Sequence, residues 1–276
     1  MHIVADTSAL YSPKEGKNMG ITIIPACAIV DGETYKDYED ISSEEFLHFI
    51  EVGKVPTTSQ PAVGDVIDVL ENIEEEVLYL SIGDGLSGAY QTAMGARNCV
   101  ENKENIHIID TKTLAGPHKY MLKKAMMLKE KGYKAVDIIK ELKKSIESSV
   151  SFVIPSDFEF LKRSGRLTPI AAKIGAAIKI VPVMTQTEDK RRIEPFVIKR
   201  TKKRAVEAII NRLESLGAGA NHLISIGHAG VEEQAHSIMK QMKERLLNAE
   251  FEVFQLPPTL ITHGGPGCVT IQMVEK

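Results

Sequence analysis

The segment Gly83-Asp84-Gly85-Leu86-Ser87-Gly88 fits G-x-G-x-x-G and sits between an apolar run, Val77–Ile82, and a run with helical spacing, Ser87–Val100. In a strand–turn–helix unit such glycines turn the chain tightly and bring backbone amides close to a pyrophosphate; Asp110 follows about twenty residues on, where a ribose-binding acid belongs. An NAD(P)-dependent oxidoreductase using Gly83–Gly88 as its dinucleotide loop is therefore one reading. Against it, the motif lies in mid-domain rather than after the first strand, and a tight turn with Ser87 capping a helix uses the same residues.

Other side chains offer different chemistry. His263 precedes Gly264-Gly265-Pro266-Gly267, where backbone freedom suits close approach to a ligand. Paired with Ser87 as nucleophile and base, it would make a hydrolase. Thr58 and Ser59 bring hydroxyls just ahead of Pro61, a pattern equally at home in a helix cap. Arg166, after Ser164-Gly165, is either an anion donor or an ordinary turn arginine. His228 and His107 read as strand residues without chemistry. Cys27, Cys99 and Cys268 are isolated thiols, and the chain contains no C-x-x-C, no H-E-x-x-H and no P-loop, so neither a cysteine metal site nor a phosphate-cradling lysine loop is expected.

Composition narrows the classes. The 276 residues are 43% hydrophobic and 26% charged with net charge -3, a globular balance with no general attraction to nucleic acid. Residues Met1 to Leu10 show no basic and apolar leader, and Ile21–Val30 is too short to span a bilayer. A reduced cytoplasm is expected.

Strand and helix patterns alternate almost throughout, which predicts an α/β fold of two domains, residues 1–155 and 156–276. The first is expected to be Rossmann-like with a mainly parallel sheet, the second to carry a mixed or antiparallel sheet with helices, and the ligand cleft to lie between them. Ile21–Val30 and Glu33–Tyr38 flank Asp31-Gly32 as a hairpin. Ser42 with Glu45 signals a capped helix to Val52, and Pro61 the first residue of a helix over Ala62–Asn72. Helices are predicted over Tyr120–Lys131, Lys134–Ser148, Asp157–Arg163, Pro169–Ala177, Lys202–Leu216 and Glu232–Asn248. Further strands are predicted over Ile106–Ile109, Val150–Ile154, Ile178–Thr185, Arg192–Lys199, His222–Ile226, Phe251–Leu256 and Val269–Val274.

Several segments together resemble the DegV family: Asp6-Thr7-Ser8, Thr57-Thr58-Ser59-Gln60-Pro61, Leu86-Ser87-Gly88-Ala89-Tyr90-Gln91, Asp110-Thr111-Lys112-Thr113, Leu161 to Leu167, Arg200 to Ala205, and His263-Gly264-Gly265-Pro266-Gly267. They run in the family's order along nearly the whole chain. The resemblance implies two α/β domains with a long-chain fatty acid between them and no cofactor besides that ligand. It also implies the role of the fatty-acid-binding B subunit of a fatty-acid kinase, which presents the acid's carboxylate to a separate ATP-dependent subunit for phosphorylation to acyl phosphate, a step in phospholipid metabolism. Such a subunit is not itself a catalyst, needs no nucleic acid or transmembrane segment, and makes at most transient membrane contact.

The residues are compatible with that ligand. A buried carboxylate requires charged or hydroxyl donors, which Thr58, Ser59, Ser87, Arg166 and His263 supply. Small residues within Ile170–Ile178 could leave room for the acyl tail. Asp84 stands where the family usually has serine and completes the expected site, awkwardly: two unit charges ~4 Å apart repel by about 4 kcal/mol at an effective dielectric near 20. It either points away, is protonated, or marks a different head group. The basic run Lys199-Arg200-Thr201-Lys202-Lys203-Arg204 is expected to dock an acidic partner surface or lie near the ATP phosphates of the kinase subunit.

Overall fold

The computed structural model describes residues 1–173 and 180–276. Along the first part of the chain run β1 (His2–Asp6), α1 (Pro13–Asn18), β2 (Thr22–Ile24), β3 (Cys27–Val30), β4 (Glu33–Lys36), α2 (Ser43–Glu51), β5 (Thr57–Ser59), α3 (Val63–Glu71), β6 (Val77–Ser81), α4 (Ala89–Cys99), β7 (Ile106–Asp110), α5 (Ala115–Glu130) and α6 (Ala135–Ser148). β1, β2, β6 and β7 form a parallel sheet in the order β2-β1-β6-β7. Alternate residues serve its two faces, as a sheet buried on both sides requires. Ile3, Ala5, Leu78 and Leu80 pack under α5 and α6, while Val4, Val77 and Tyr79 pack under α3 and α4. Each fully buried aliphatic side chain contributes roughly 1.5–3 kcal/mol.

The rest of the chain contains β8 (Val150–Ile154), α7 (Phe158–Arg163), β9 (Val181–Gln186), β10 (Ile193–Lys199), α8 (Lys202–Ser215), β11 (His222–His228), α9 (Glu232–Lys243), β12 (Glu250–Gln255), α10 (Pro258–Gly264) and β13 (Val269–Glu275). Its six strands form a mixed sheet in the order β10-β9-β8-β13-β11-β12, in which β11 and β12 alone run parallel. α8 and α9 cover one face through Ile209, Ile210, Ile238 and Met242. The fold is thus α/β, with a parallel sheet, a mixed sheet and a small antiparallel sheet. β8 pairs with β13 and β9, so the second sheet begins at Val150, ahead of the division expected at 155.

Several local expectations shift. Ile21–Val30 is two strands: Pro25 has no N–H for a ladder, and after it the chain leaves β2 for a separate three-stranded antiparallel sheet, β4-β3-β5. The Asp31-Gly32 turn has positive φ at both residues (53 and 86), as a two-residue hairpin demands. Pro61 lies outside α3, whose N-cap is Ala62 without a side-chain bond. Thr57–Ser59 are strand β5 rather than a helix cap. α4 begins at Ala89, with Gly88 as N-cap, so Ser87 precedes the helix. α5 begins at Ala115, five residues before the predicted Tyr120, and α10 was not anticipated. The helix expected over Pro169–Ala177 extends outside the described residues; within them only a single turn, Ala171–Lys173, is found.

Two contacts join the sheets. Gly116 sets α5 directly on β11: a Cβ there would lie 2.2 Å from Ser225 Cβ. Gln272 of β13 accepts from Gly116 N–H (3.2 Å) and donates to Leu114 O (3.0 Å), so one amide satisfies both sides of that helix start.

Candidate functional site

In the order β2-β1-β6-β7 the chain changes direction between β1 and β6, and the crevice outside the carboxyl ends of such strands is where open α/β sheets take ligands. Asp6, the last residue of β1, holds this point together. Its Oδ2 accepts from Ile82 N–H (2.8 Å) and its Oδ1 from Ser8 N–H (3.0 Å). A cavity of about 1170 Å3, its open mouth included, runs from here to the face of the second sheet that α8 and α9 leave uncovered.

β5 and α10 supply one wall. Thr58 pairs with Ala28 of β3, and α10 places His263 in its last turn, so that Thr58 Oγ1 and His263 Nε2 lie 3.0 Å apart. Gly265 (φ 78) ends α10, and a Cβ there would strike the Phe160 ring at 2.6 Å. The glycines after His263 therefore serve the turn into β13 and its packing on α7. Burial, reinforced by the Arg166 charge, pulls the His263 imidazole down to about 3, leaving it neutral at physiological pH.

Arg166 follows Gly165 (φ 70) at the end of the α7 turn. Its Nε donates to Leu86 O (3.0 Å) across the cleft, and its Nη1 donates to Ser164 O. Burial lowers its pKa, and no ion pair to Arg166 is found among the described residues. Because a guanidinium carries five donors, its fork retains capacity for an anion. Ser87 Oγ accepts from Ala89 N–H (3.2 Å), which leaves the hydroxyl proton for another partner. Leu86, Leu161, Met184 and Ile193 add apolar surface to the same cavity.

Thr58, Ser59, Ser87, Arg166 and His263 thus all line one cavity; Asp84 does not. The Asp84 carboxylate is turned to Arg191, with Oδ2 2.6 Å from Nη1, and also accepts from Gln91 (3.2 Å). Of the three outcomes left open for it, pointing away is the one observed. The cation that draws it there lies on the β9–β10 turn.

The glycine motif has its own structural account. A Cβ on Gly83 would meet the Lys112–Thr113 backbone at 2.9 Å, one on Gly85 Arg191 O at 2.6 Å, and one on Gly88 the Gln60 amide at 2.9 Å. The chain itself fills the space that a pyrophosphate would need. The Ser87–His263 pair of the hydrolase reading is not formed, since His263 Nε2 is engaged with Thr58. Cys268 lines the cavity, but burial pushes its thiol up to about 12, which makes it a poor nucleophile.

Residues not anticipated for the site include Ser8, Thr259, Thr270 and Gln272. Ser8 belongs to the Asp6-Thr7-Ser8 segment already quoted; its hydroxyl is engaged with His118 Nδ1 at 2.8 Å. Thr259 is held by buried Asp37, which accepts from both its N–H and its hydroxyl. Thr270 and Gln272 alternate along a strand and give no signal in the sequence.

The family model described as "Uncharacterised protein, DegV family" matches residues 1–276, and the chain belongs to that family. A DegV domain-containing protein of Staphylococcus aureus is 28% identical, over 99% of this chain and 98% of its own. A solved DegV family protein from Thermus thermophilus, described by its fatty acid binding, superposes with a TM-score of 0.88 at 25% identity, covering 100% of this chain and 99% of its own. DegV from Bacillus subtilis, described as a fatty acid binding protein, gives 0.87 at 27% identity over 100% and 99%. Among the described residues no helix is long and apolar enough to cross a membrane.

Proposed function

We propose that the cleft binds a long-chain fatty acid and that the protein presents the acid's carboxylate to a separate ATP-dependent kinase subunit, which phosphorylates it to the acyl phosphate. The observation that carries the reading is Arg166: a partly buried guanidinium with no ion-pair partner among the described residues, in a cavity it shares with Leu86, Leu161, Met184 and Ile193. A half-desolvated cation beside apolar walls is matched by a molecule with one anionic end and a long apolar remainder. The solved relatives described as fatty acid binding, alike along the full chain, support it.

Arg166 supplies the charge, and Thr58, Ser59 and Ser87 supply hydroxyl donors. His263, neutral, sets the direction of the Thr58 hydroxyl: with the ring proton on Nε2 it donates to Thr58 Oγ1 and frees the Thr58 O–H for the carboxylate. Each methylene removed from water adds roughly 0.8 kcal/mol before ordering costs. The tail segment expected within Ile170–Ile178 lies largely outside the described residues. The kinase role rests on the family resemblance and on the exposed run at the start of α8, where Lys202, Lys203 and Arg204 face solvent. In this role the chain performs no phosphoryl transfer by itself and acts in the cytoplasm.

Mass spectrometry of small molecules extracted from the purified protein tests the ligand class: free fatty acid is expected, and NAD or NADP would return the oxidoreductase reading. Acyl phosphate should form only when this chain, a fatty acid, ATP and the kinase subunit are combined.

A further inference from the structure

The sheet face that the cavity meets is not uniformly apolar. Gln272 of β13 stands opposite Ser225 of β11 and, on the other side, Ser151 of β8; Glu252 of β12 stands opposite Ser225. Directly opposed residues share a face, so these four make a polar row across four strands. Its four members bond in two pairs: Ser225 Oγ donates to Glu252 (2.8 Å), and Gln272 Nε2 donates to Ser151 Oγ (2.9 Å).

One row nearer the start of β13, on the same face, stands Thr270, opposite Val153. Its hydroxyl is buried and has no hydrogen-bond partner among the described residues. Gly227 faces it across the ladder, where a Cβ would lie 2.5 Å from Thr270 Oγ1 and 2.7 Å from the Phe254 ring, so the surroundings on that side offer no acceptor. Thr270 and Ser151 are diagonal neighbours of an antiparallel pair, about 7–8 Å apart, and both line the cavity. Ser151 Oγ accepts from Gln272 and keeps its proton to give. A plain methylene chain laid over this place would leave the Thr270 hydroxyl without a partner and the Ser151 proton without an acceptor, which is costly in a dry slot.

We infer that the acyl slot is built for an oxygenated fatty acid: a chain carrying a hydroxyl between head and tail, held at Thr270 and Ser151. A ligand hydroxyl both donates and accepts, so it can accept the Ser151 proton and donate its own to Thr270 Oγ1 once the threonine turns from Gly227 to the cavity. The inference rests on the fatty-acid reading of the cleft.

The test is competition between stearate and a hydroxystearate bearing its hydroxyl at mid-chain, against the full chain and against Thr270→Val, which preserves side-chain shape. A scan of hydroxyl positions covers the unknown depth. The wild type is expected to prefer at least one hydroxystearate by about tenfold over stearate, equivalent to about 1.4 kcal/mol. Thr270→Val should erase that preference, hydroxystearate losing affinity and stearate gaining it as the unpaired hydroxyl is removed; Ser151→Ala should reduce it. Equal or weaker binding of every hydroxystearate, or an undiminished preference in Thr270→Val, overturns this inference and leaves the fatty-acid reading standing. Failure of the wild type to bind stearate and hydroxystearate alike overturns both.

Discussion

Arg191 on the β9–β10 turn holds Asp84 of the glycine loop at 2.6 Å, and this ion pair takes the loop's one acidic side chain out of the ligand cleft. It also ties the parallel sheet to the mixed one, since Arg191 O approaches the position a Gly85 side chain would occupy. The like-charge conflict expected between Asp84 and a fatty-acid carboxylate is thereby removed.

Asp84→Ser should consequently leave fatty-acid affinity within about a factor of two, because substitutions without a shared partner act independently. Its cost should fall on stability instead, about 0.5–1 kcal/mol, since Arg191 is half exposed and solvent screens the pair. Isothermal titration and denaturant unfolding separate the two effects. A clear rise in affinity would mean that Asp84 does reach the ligand.

Arg166→Ala should weaken binding by about one to two orders of magnitude, the range for losing a charge-assisted hydrogen bond. Arg166→Lys should not restore it. One ammonium cannot reproduce the fork that meets Leu86 O and Ser164 O while also facing a carboxylate. Titration of both variants with oleate checks this, and full rescue by lysine would contradict it.

The acid limb of stability should carry an imprint of His263. Its folded value, about 3, lies below the ordinary imidazole value of 6.5, so the unfolded chain binds the proton first and the stabilisation present above pH 6.5 is lost as pH falls toward 3. Buried Asp37, raised from 3.8 to about 6, acts in the opposite sense, adding stability as pH falls through that interval. His263→Gln should remove only the first contribution. The stability difference between wild type and variant should then grow with pH from 3 to 6.5 and level off above. A difference independent of pH would show that His263 does not titrate as described.

Reversing Lys202, Lys203 and Arg204 to Glu should leave lipid binding intact and slow partner-dependent phosphorylation, most strongly at low salt. The three side chains are exposed at the first turn of α8, where cations oppose the helix dipole. The variant should therefore unfold no more easily than the wild type. Phosphorylation kinetics unchanged at every salt concentration would remove this surface from the partner's footprint.

Local signals were readable where a few adjacent residues settle the backbone. The Ser42–Glu45 capping box and the Asp31-Gly32 turn both appear as the sequence indicates. α10 gives no signal in the sequence because it is a seven-residue helix opened by Pro257-Pro258, with no room for a 3.6-residue period to declare itself. The early start of α5 is supported by Gln272, from the distant β13, which accepts from Gly116 N–H in its first turn. At the site, residue types were legible but partners were not. Thr58 and His263 meet across 205 positions, and Asp84 meets Arg191 across 107. No spacing rule reaches so far, and the resemblance to a family brought Thr58, Ser87, Arg166 and His263 together without revealing which way Asp84 turns.

Equilibrium dialysis of the purified, delipidated chain against labelled palmitate and oleate tests the central claim most directly. Saturable binding of at least one acid is predicted, at one molecule per chain, abolished by excess unlabelled acid and weakened in Arg166→Ala. Absence of saturable binding to either acid would contradict the account.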